Sequence, residues 1–413
     1  MSDTRRPRIV GFDLARFMAV FGFIAVDMVG RVIWADGGFE ETPEGPAVLN
    51  WAQQMWWGRA SAMLAVLAGT GLALFFRPGL ESDDATSRKR VILRRGLFLL
   101  VVGHLWNSST LWNWSILHYY PFYLGLGLLF VKARPRTLAL AAALVVMIAA
   151  VDVFAFREMP ERPGDEAAVE AVEEVETADD EGETAEDAPA AASDEPEEDW
   201  EGDFGDPKIW QAEFWSVRGH VVDTLFDGLY PLFPWMAFIL IGMAVVRIGI
   251  DQVARRRRIL GAALATLAVT YGTWWAARHF EWGETAALLT SVDRYPGLPL
   301  YILSAAAQAV VLLCLAFSVA EIWPKARWIA PLVATGQMTF SIYIFRIFIG
   351  GGDRDGLYDW IGFATGETRA DLIDGWLRVA VFVPVMILVC HWWVRRFGRG
   401  PLEAAMRRFS DAR

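Results

Sequence analysis

Cysteine is nearly absent from this chain: Cys314 and Cys390 are the only two in 413 residues. Both fall inside apolar runs and no C-x-x-C pair occurs, so a disulfide framework and a dithiol redox centre are excluded and free thiols are expected. Histidine is scarce too. His104, His118, His220, His279 and His391 lack the close spacing of a zinc site, so no metal is expected. There is no P-loop, no dinucleotide fingerprint and no nucleic-acid-binding pattern. No small-residue cleavage site follows the first apolar run, which is long and charged and is expected to stay in place as a signal-anchor span.

What the chain has in abundance is apolar length. It is 54% hydrophobic, with 20 Trp and 26 Phe. Runs of about 18–22 residues recur, the length that crosses ~30 Å of hydrocarbon. We read ten spans, at 12–33, 58–77, 91–107, 114–131, 137–156, 229–248, 259–278, 298–320, 330–349 and 376–394. The fold class expected is all-α, a polytopic helical bundle in one integral membrane domain.

Basic residues set the orientation. Arg5, Arg6 and Arg8 precede the first span, Arg88–Arg95 hold five cations between the second and third, and Lys132, Arg134 and Arg136 follow the fourth. Arg255–Arg258, then Lys325 and Arg327, then Arg395, Arg396, Arg399, Arg407 and Arg408 continue the series. Every second loop is basic, which predicts cytoplasmic termini and a multi-pass protein of the cell (inner or plasma) membrane. The formal net charge of −11 hides this, because residues 157–206 hold 22 carboxylates against Arg157 and Arg162 and leave the rest of the chain at +9. That block cannot bury a core. The expected organisation is therefore five spans in 1–156, an acidic disordered extracytoplasmic loop at 157–208, and an amphipathic segment plus five spans and a short basic tail in 209–413.

The first span is unusual. At 100° per residue, with Asp13 at zero, Arg16 falls at about −60°, Asp27 at about −40° and Arg31 at about 0°. Four ionisable groups thus share one stripe of an otherwise apolar helix, and such groups in lipid cost several kcal/mol each and mark function by default. Asp13 and Asp27 lie ~21 Å apart along the axis. The stripe reads as a polar tunnel through which a donor on one side meets an acceptor on the other; the alternative is two self-neutralising pairs that pack the helix. A second polar stripe joins Thr335, Thr339 and Arg346 on the ninth span, before Gly350-Gly351-Gly352 breaks the helix.

Among the histidines, His104 at the outer end of the third span is the best acid/base candidate, against a merely structural interfacial role; His118 is second. Arg77, Arg94 and Arg95 border the cytoplasmic face. They suit the phosphates of a coenzyme A-type donor, or simply anchor the basic side. Small residues along the second span (Ala60, Ser61, Ala62, Ala65, Ala68, Gly69) predict a central helix.

Several short motifs carry a resemblance. Phe12-Asp13-Leu-Ala-Arg16-Phe17-Met-Ala19 resembles the D-x-x-R-G-x-A opening of YeiB-like bacterial membrane proteins and of the heparan-α-glucosaminide N-acetyltransferase group, with Phe17 for the glycine. Arg94-Arg95, Gly103-His104 and Ser115-Ile116-Leu117 through Tyr119 are similar to R-R, G-x-x-H and D-I-L-x-x-Y, with Ser115 for the aspartate. Phe233-Pro234-Trp235 with Gly242-Met243-Ala244, Gly336-Gln-Met-Thr-Phe-Ser341-Ile-Tyr343, and Gly400-Pro401-Leu402-Glu403 with Arg407 complete the series in order.

The resemblance implies the transmembrane acyltransferase fold and transfer of an acyl, acetyl-type group. The donor would be cytoplasmic acyl-CoA, a co-substrate rather than a resident cofactor. The acceptor would be an extracytoplasmic sugar or another hydroxyl or amine. Related sugar O-acylating enzymes carry a histidine where this chain has Asp27. His104 and Asp27 are then the expected catalytic residues, with Asp13, Arg16, Arg31, Arg94, Arg95 and Arg346 binding substrate or donor. The alternatives are a small-molecule transporter and a non-catalytic membrane protein of the same fold. The expected partners are the bilayer and that acceptor, with no nucleic acid.

Overall fold

The computed structural model describes residues 9–35, 45–76, 85–109, 115–156, 221–280, 282–294, 297–345 and 372–411. The acidic block, Arg346 and the glycine run at 350–352 lie outside the described residues, as does the side chain of Arg31. Among the described residues the chain is all helical, without strands. The helices are α1 (Val10–Ala35), α2 (Ala47–Gln54), α3 (Arg59–Phe75), α4 (Ala85–Ser109), α5 (Tyr120–Gly127), α6 (Pro135–Phe156) and α7 (Leu232–Ile248). They continue with α8 (Val253–His279), α9 (Glu284–Leu289), α10 (Pro299–Ile322), α11 (Ile329–Gln337), α12 (Thr339–Phe345), α13 (Leu372–Phe397) and α14 (Pro401–Asp411).

Four helical stretches among the described residues are long and apolar enough to cross a membrane: Ala47–Phe75, Val253–His279, Pro299–Ile322 and Gly375–Phe397. Pro135–Val151 and Leu232–Ile248 are apolar but shorter. α1 has the length, 26 residues, but carries charges. The outward faces of the peripheral helices explain the composition. Leu140, Leu144, Met147 and Val151 on α6, and Leu377, Val381, Leu388 and Trp392 on α13, are exposed at helical spacing. A water-soluble surface does not present such stripes, so hydrocarbon is their natural solvent and the protein has the surface of an integral membrane protein.

α3 lies at the centre, packed on α1, α7 and α10, with most of its residues from Arg59 to Ala73 buried. Small residues permit this. A Cβ on Gly69 would overlap the Ile239 carbonyl oxygen of α7, and one on Gly242 would overlap the Val66 carbonyl oxygen of α3. The two glycines are equivalent positions of a parallel crossing in which backbone meets backbone. Without a hydrophobic drive between helices in lipid, dispersion and Cα–H···O contacts at such crossings supply the association.

Other contacts set relative direction. The start of α1 meets the end of α10 through Phe12 and Phe317, ring centroids 4.8 Å apart, whereas its far end meets Gly375 at the start of α13. Arg256 at the start of α8 pairs with Glu321 at the end of α10. Ser61 and Tyr230 place the starts of α3 and α7 together, 3.4 Å between hydroxyls. Hence α1, α8 and α11–α12 run one way and α3, α7, α10 and α13 the other.

The expected ninth span is two helices. α11 ends at Gln337, Met338 forms a turn through its N–H to the Thr335 carbonyl, 2.9 Å, and α12 restarts at Thr339. The cause is distant in sequence. Glu403 of α14 accepts hydrogen bonds from the backbone N–H groups of Phe340 and Ser341, at 2.8 and 3.0 Å, and so caps the new helix as a carboxylate at a positive dipole end. Likewise the expected fourth span contains only eight residues of α-helix, α5, flanked by 3₁₀ turns at Leu117–Tyr119 and Leu128–Phe130.

Gly242→Leu should cost at least about 1–3 kcal/mol, the penalty for overfilling a packed site, and should be seen as a lower melting temperature and loss of monodisperse protein in detergent. Gly71→Ala on the same α3 points into open space and should stay within ~0.5 kcal/mol of the parent.

Candidate functional site

Asp13, one turn into α1, is 2% exposed. Its carboxylate takes a hydrogen bond from Arg16 Nη1 at 2.8 Å, an i,i+3 ion pair in which Arg16 is the more exposed partner. The structure therefore brings together the first two charges of the stripe. Helix α11 closes over this turn: a Cβ on Gly336 would overlap the Asp13 carbonyl oxygen, so α11 lies against the α1 backbone at the pair.

The stripe is not continuous beyond it. On the same face, Val20 and Ile24 are buried in an apolar cluster with Met338, Ile342, Val383 and Met386. Instead of a polar tunnel along α1, two charged ends are separated by about two turns of aliphatic packing. Nor is the Thr335–Thr339 face an open polar lining. The two hydroxyls donate to backbone carbonyls of α11, Thr335 to Pro331 at 3.0 Å and Thr339, across the break, to Gly336 at 2.8 Å.

At the other end Asp27 is half-buried, one turn beyond Phe23. The Phe23 ring stacks on Tyr343 of α12 at 4.9 Å. The Tyr343 hydroxyl accepts from the Ile116 N–H at 3.3 Å and is hydrogen-bonded to Ser115. This places the 115–119 segment, with fully buried Ser115 and Tyr119, beside α12. His118 of that segment packs on His104 of α4, ring centroids 5.6 Å apart. Asp27 and His104 thus occupy the same end of the bundle, linked through Phe23, Tyr343 and the 115–118 backbone.

On the His104 imidazole, Nδ1 lies 2.9 Å from the Leu100 carbonyl oxygen, which can only accept, so Nδ1 carries a proton. In the neutral ring that leaves the lone pair on Nε2, the form required of a general base.

Arg94 and Arg95 lie on α4 toward the opposite end. Arg95 donates through Nε to Ser410 Oγ at 3.4 Å and lies 3.8 Å from Asp411, so it is engaged with α14. The pair is loose and Asp411 is shared with Arg407 at 3.0 Å. Arg346 and the Arg31 side chain, both expected at the acceptor end, fall outside what is described.

The residues that sequence reading left as signatures prove to be contact points of one seam. Glu403 binds α12 through Phe340, Ser341 and the Ser341 hydroxyl, and Ser341 Oγ accepts in turn from the Leu402 N–H at 3.1 Å. Gly400 leaves room for this clasp, since a Cβ there would overlap the Glu403 carboxylate. The Asp13, Ser115–Tyr119, Gly336–Tyr343 and Gly400–Glu403 segments therefore converge on one another. Trp235 of the remaining motif packs on Tyr230 at 4.8 Å. The seam contacts were not readable from the sequence, because they join segments more than 60 positions apart.

Residues 248–413 match the model of a family described as a protein of unknown function, DUF418. The matched region runs from the end of α7 to α14 and includes the Gly336–Tyr343 and Gly400–Glu403 segments, consistent with the YeiB-like resemblance. No curated protein matches the chain.

Glu403→Ala should remove charge-assisted bonds worth about 2–3 kcal/mol. The expected readouts are a lower melting temperature and faster amide exchange confined first to 338–345. Unchanged exchange there would show that the clasp does not hold α12.

Proposed function

We propose that this chain is a membrane acyltransferase of the YeiB-like type, carrying an acetyl-type group from cytoplasmic acyl-CoA to an extracytoplasmic hydroxyl or amine. The observation that carries the reading is the His104 imidazole, oriented by its Nδ1 contact to the Leu100 carbonyl at the end of the bundle where α1 brings Asp27. The proposal includes ten passes with both termini cytoplasmic in the cell membrane. The opposed directions of α1, α8 and α11–α12 against α3, α7, α10 and α13 support that topology, together with the alternation of basic loops.

In this reading the donor enters at the α4–α14 end, where Arg94 and Arg95 take its phosphates and Arg16 adds positive potential beside Asp13. The acyl thioester reaches the other end past the Val20–Ile24 packing, which opens for it and otherwise seals the membrane. His104 Nε2 removes the proton from the acceptor hydroxyl or amine, and the acceptor oxygen or nitrogen attacks the thioester carbonyl. Arg31 or Arg346 stabilises the oxyanion. The carbon–sulfur bond then breaks, and the proton held on His104 passes to the departing coenzyme A thiolate. Asp27 stabilises the imidazolium between those steps.

His104→Ala and Asp27→Asn should each reduce transfer by about 10²–10⁴-fold, the usual contribution of a positioned acid–base group, while the protein remains folded in the membrane. Acyl-CoA at a hundredfold over its dissociation constant should stabilise the parent and both variants by ~2.7 kcal/mol. Full activity in both variants would remove the catalytic assignment. Absence of any donor effect, with substrate flux in proteoliposomes lacking a donor, would favour a transporter instead.

A further inference from the structure

The connection between α2 and α3 buries a cation that no carboxylate among the described residues pairs with. Arg59, the first residue of α3, is 7% exposed. A guanidinium has five N–H donors. Nη1 donates to the Gln54 carbonyl at 3.2 Å and Nη2 to the Val292 carbonyl at 3.0 Å, while the rings of Tyr271 and Tyr301 each stand 5.9 Å from Cζ. Nε is buried without a partner, and none of the ion pairs among the described residues involves Arg59.

The amides around it are in the same condition. Gln53, 2% exposed, has neither side-chain polar atom matched. Gln308 of α10 donates through Nε2 to the Met55 carbonyl at 2.7 Å, but its Oε1 is unmatched. Arg59 and Gln308 meet the successive carbonyls of Gln54 and Met55, whereas the Gln53 amide lies toward Gly30 of α1. Carbonyl dipoles at the end of α2 offset part of the Arg59 charge, yet a buried charge needs an opposite one. Clustered unmatched polar atoms in a packed interior point to an ion or ligand.

We propose that Arg59, with Gln308, binds an oxyanion, the carboxylate or phosphate group of a ligand, at the end of the bundle shared with Asp27 and His104. The remaining guanidinium donors supply hydrogen bonds to the anion. The Gln308 oxygen accepts from a hydroxyl of a protonated phosphate or of an adjoining ligand group. The tyrosine rings shield the pair from solvent. This site stands whether or not the protein transfers an acyl group.

The test uses the full chain in nanodiscs of phosphatidylcholine, with melting temperature read against phosphate, sulfate and acetate at constant ionic strength. A parallel series replaces part of the lipid with phosphatidylglycerol. The wild type should show a saturable rise in at least one series: a response to free anions identifies a soluble ligand, and a response to phosphatidylglycerol alone identifies a lipid headgroup. Arg59→Gln should weaken the apparent affinity at least tenfold. Gln308→Glu, which places a carboxylate at Met55, next in sequence to the Gln54 carbonyl that Arg59 binds, should fold and lose the response because the charge is met internally. No saturable response in the wild type, or an undiminished one in Gln308→Glu, overturns the proposal even if Arg59→Gln does not fold.

Discussion

A carboxylate in hydrocarbon without a counter-ion costs several kcal/mol, and Asp13 avoids that cost through Arg16 three residues along the same helix. Because the pair closes within one turn of α1, the neighbouring helix need not supply a charge and can approach to backbone distance. Gly336 makes that approach at Asp13 itself. Just past this crossing α11 ends, and α12 restarts at Thr339 where Glu403 caps the amides of Phe340 and Ser341. Tyr343 on α12 then reaches Phe23 and the Ile116 amide, and so fixes the segment that supports His104.

The bundle is thus divided by depth. One end holds the self-paired Asp13–Arg16, Arg95 against α14, and the Arg256–Glu321 pair. The other holds Asp27, His104, His118 and the buried Arg59. Between them Val20, Ile24, Met338 and Ile342 form an apolar layer. Such a layer is a poor permanent channel and a good seal, which suits chemistry that passes one group across without leaking ions.

Much of the helical plan was legible in the sequence, since apolar runs of spanning length and the small-residue face of α3 have a direct physical signature. The break at Met338 was not, because local propensity continues a helix through Thr335–Ser341 and the competing partner, Glu403, lies 60 positions on. The charge stripe on α1 was legible as two pairs toward the two ends of the helix, but the apolar layer between them was not, since helical spacing says nothing about what packs over Val20 and Ile24. Arg59 carried no signal at all: at the first turn of an apolar run it looks like an interfacial cation, and only burial among carbonyls and tyrosines distinguishes it.

The central claim is vectorial acyl transfer, and proteoliposomes with the protein in one orientation test it most directly. Acyl-labelled acyl-CoA is supplied only at the α4–α14 face, with hydroxyl or amine acceptors only at the face bearing His104. The account predicts label on the acceptor with stoichiometric release of free coenzyme A on the donor side, and neither with His104→Ala. Wild-type protein that binds acyl-CoA but releases no coenzyme A, whatever acceptor is offered, would contradict it.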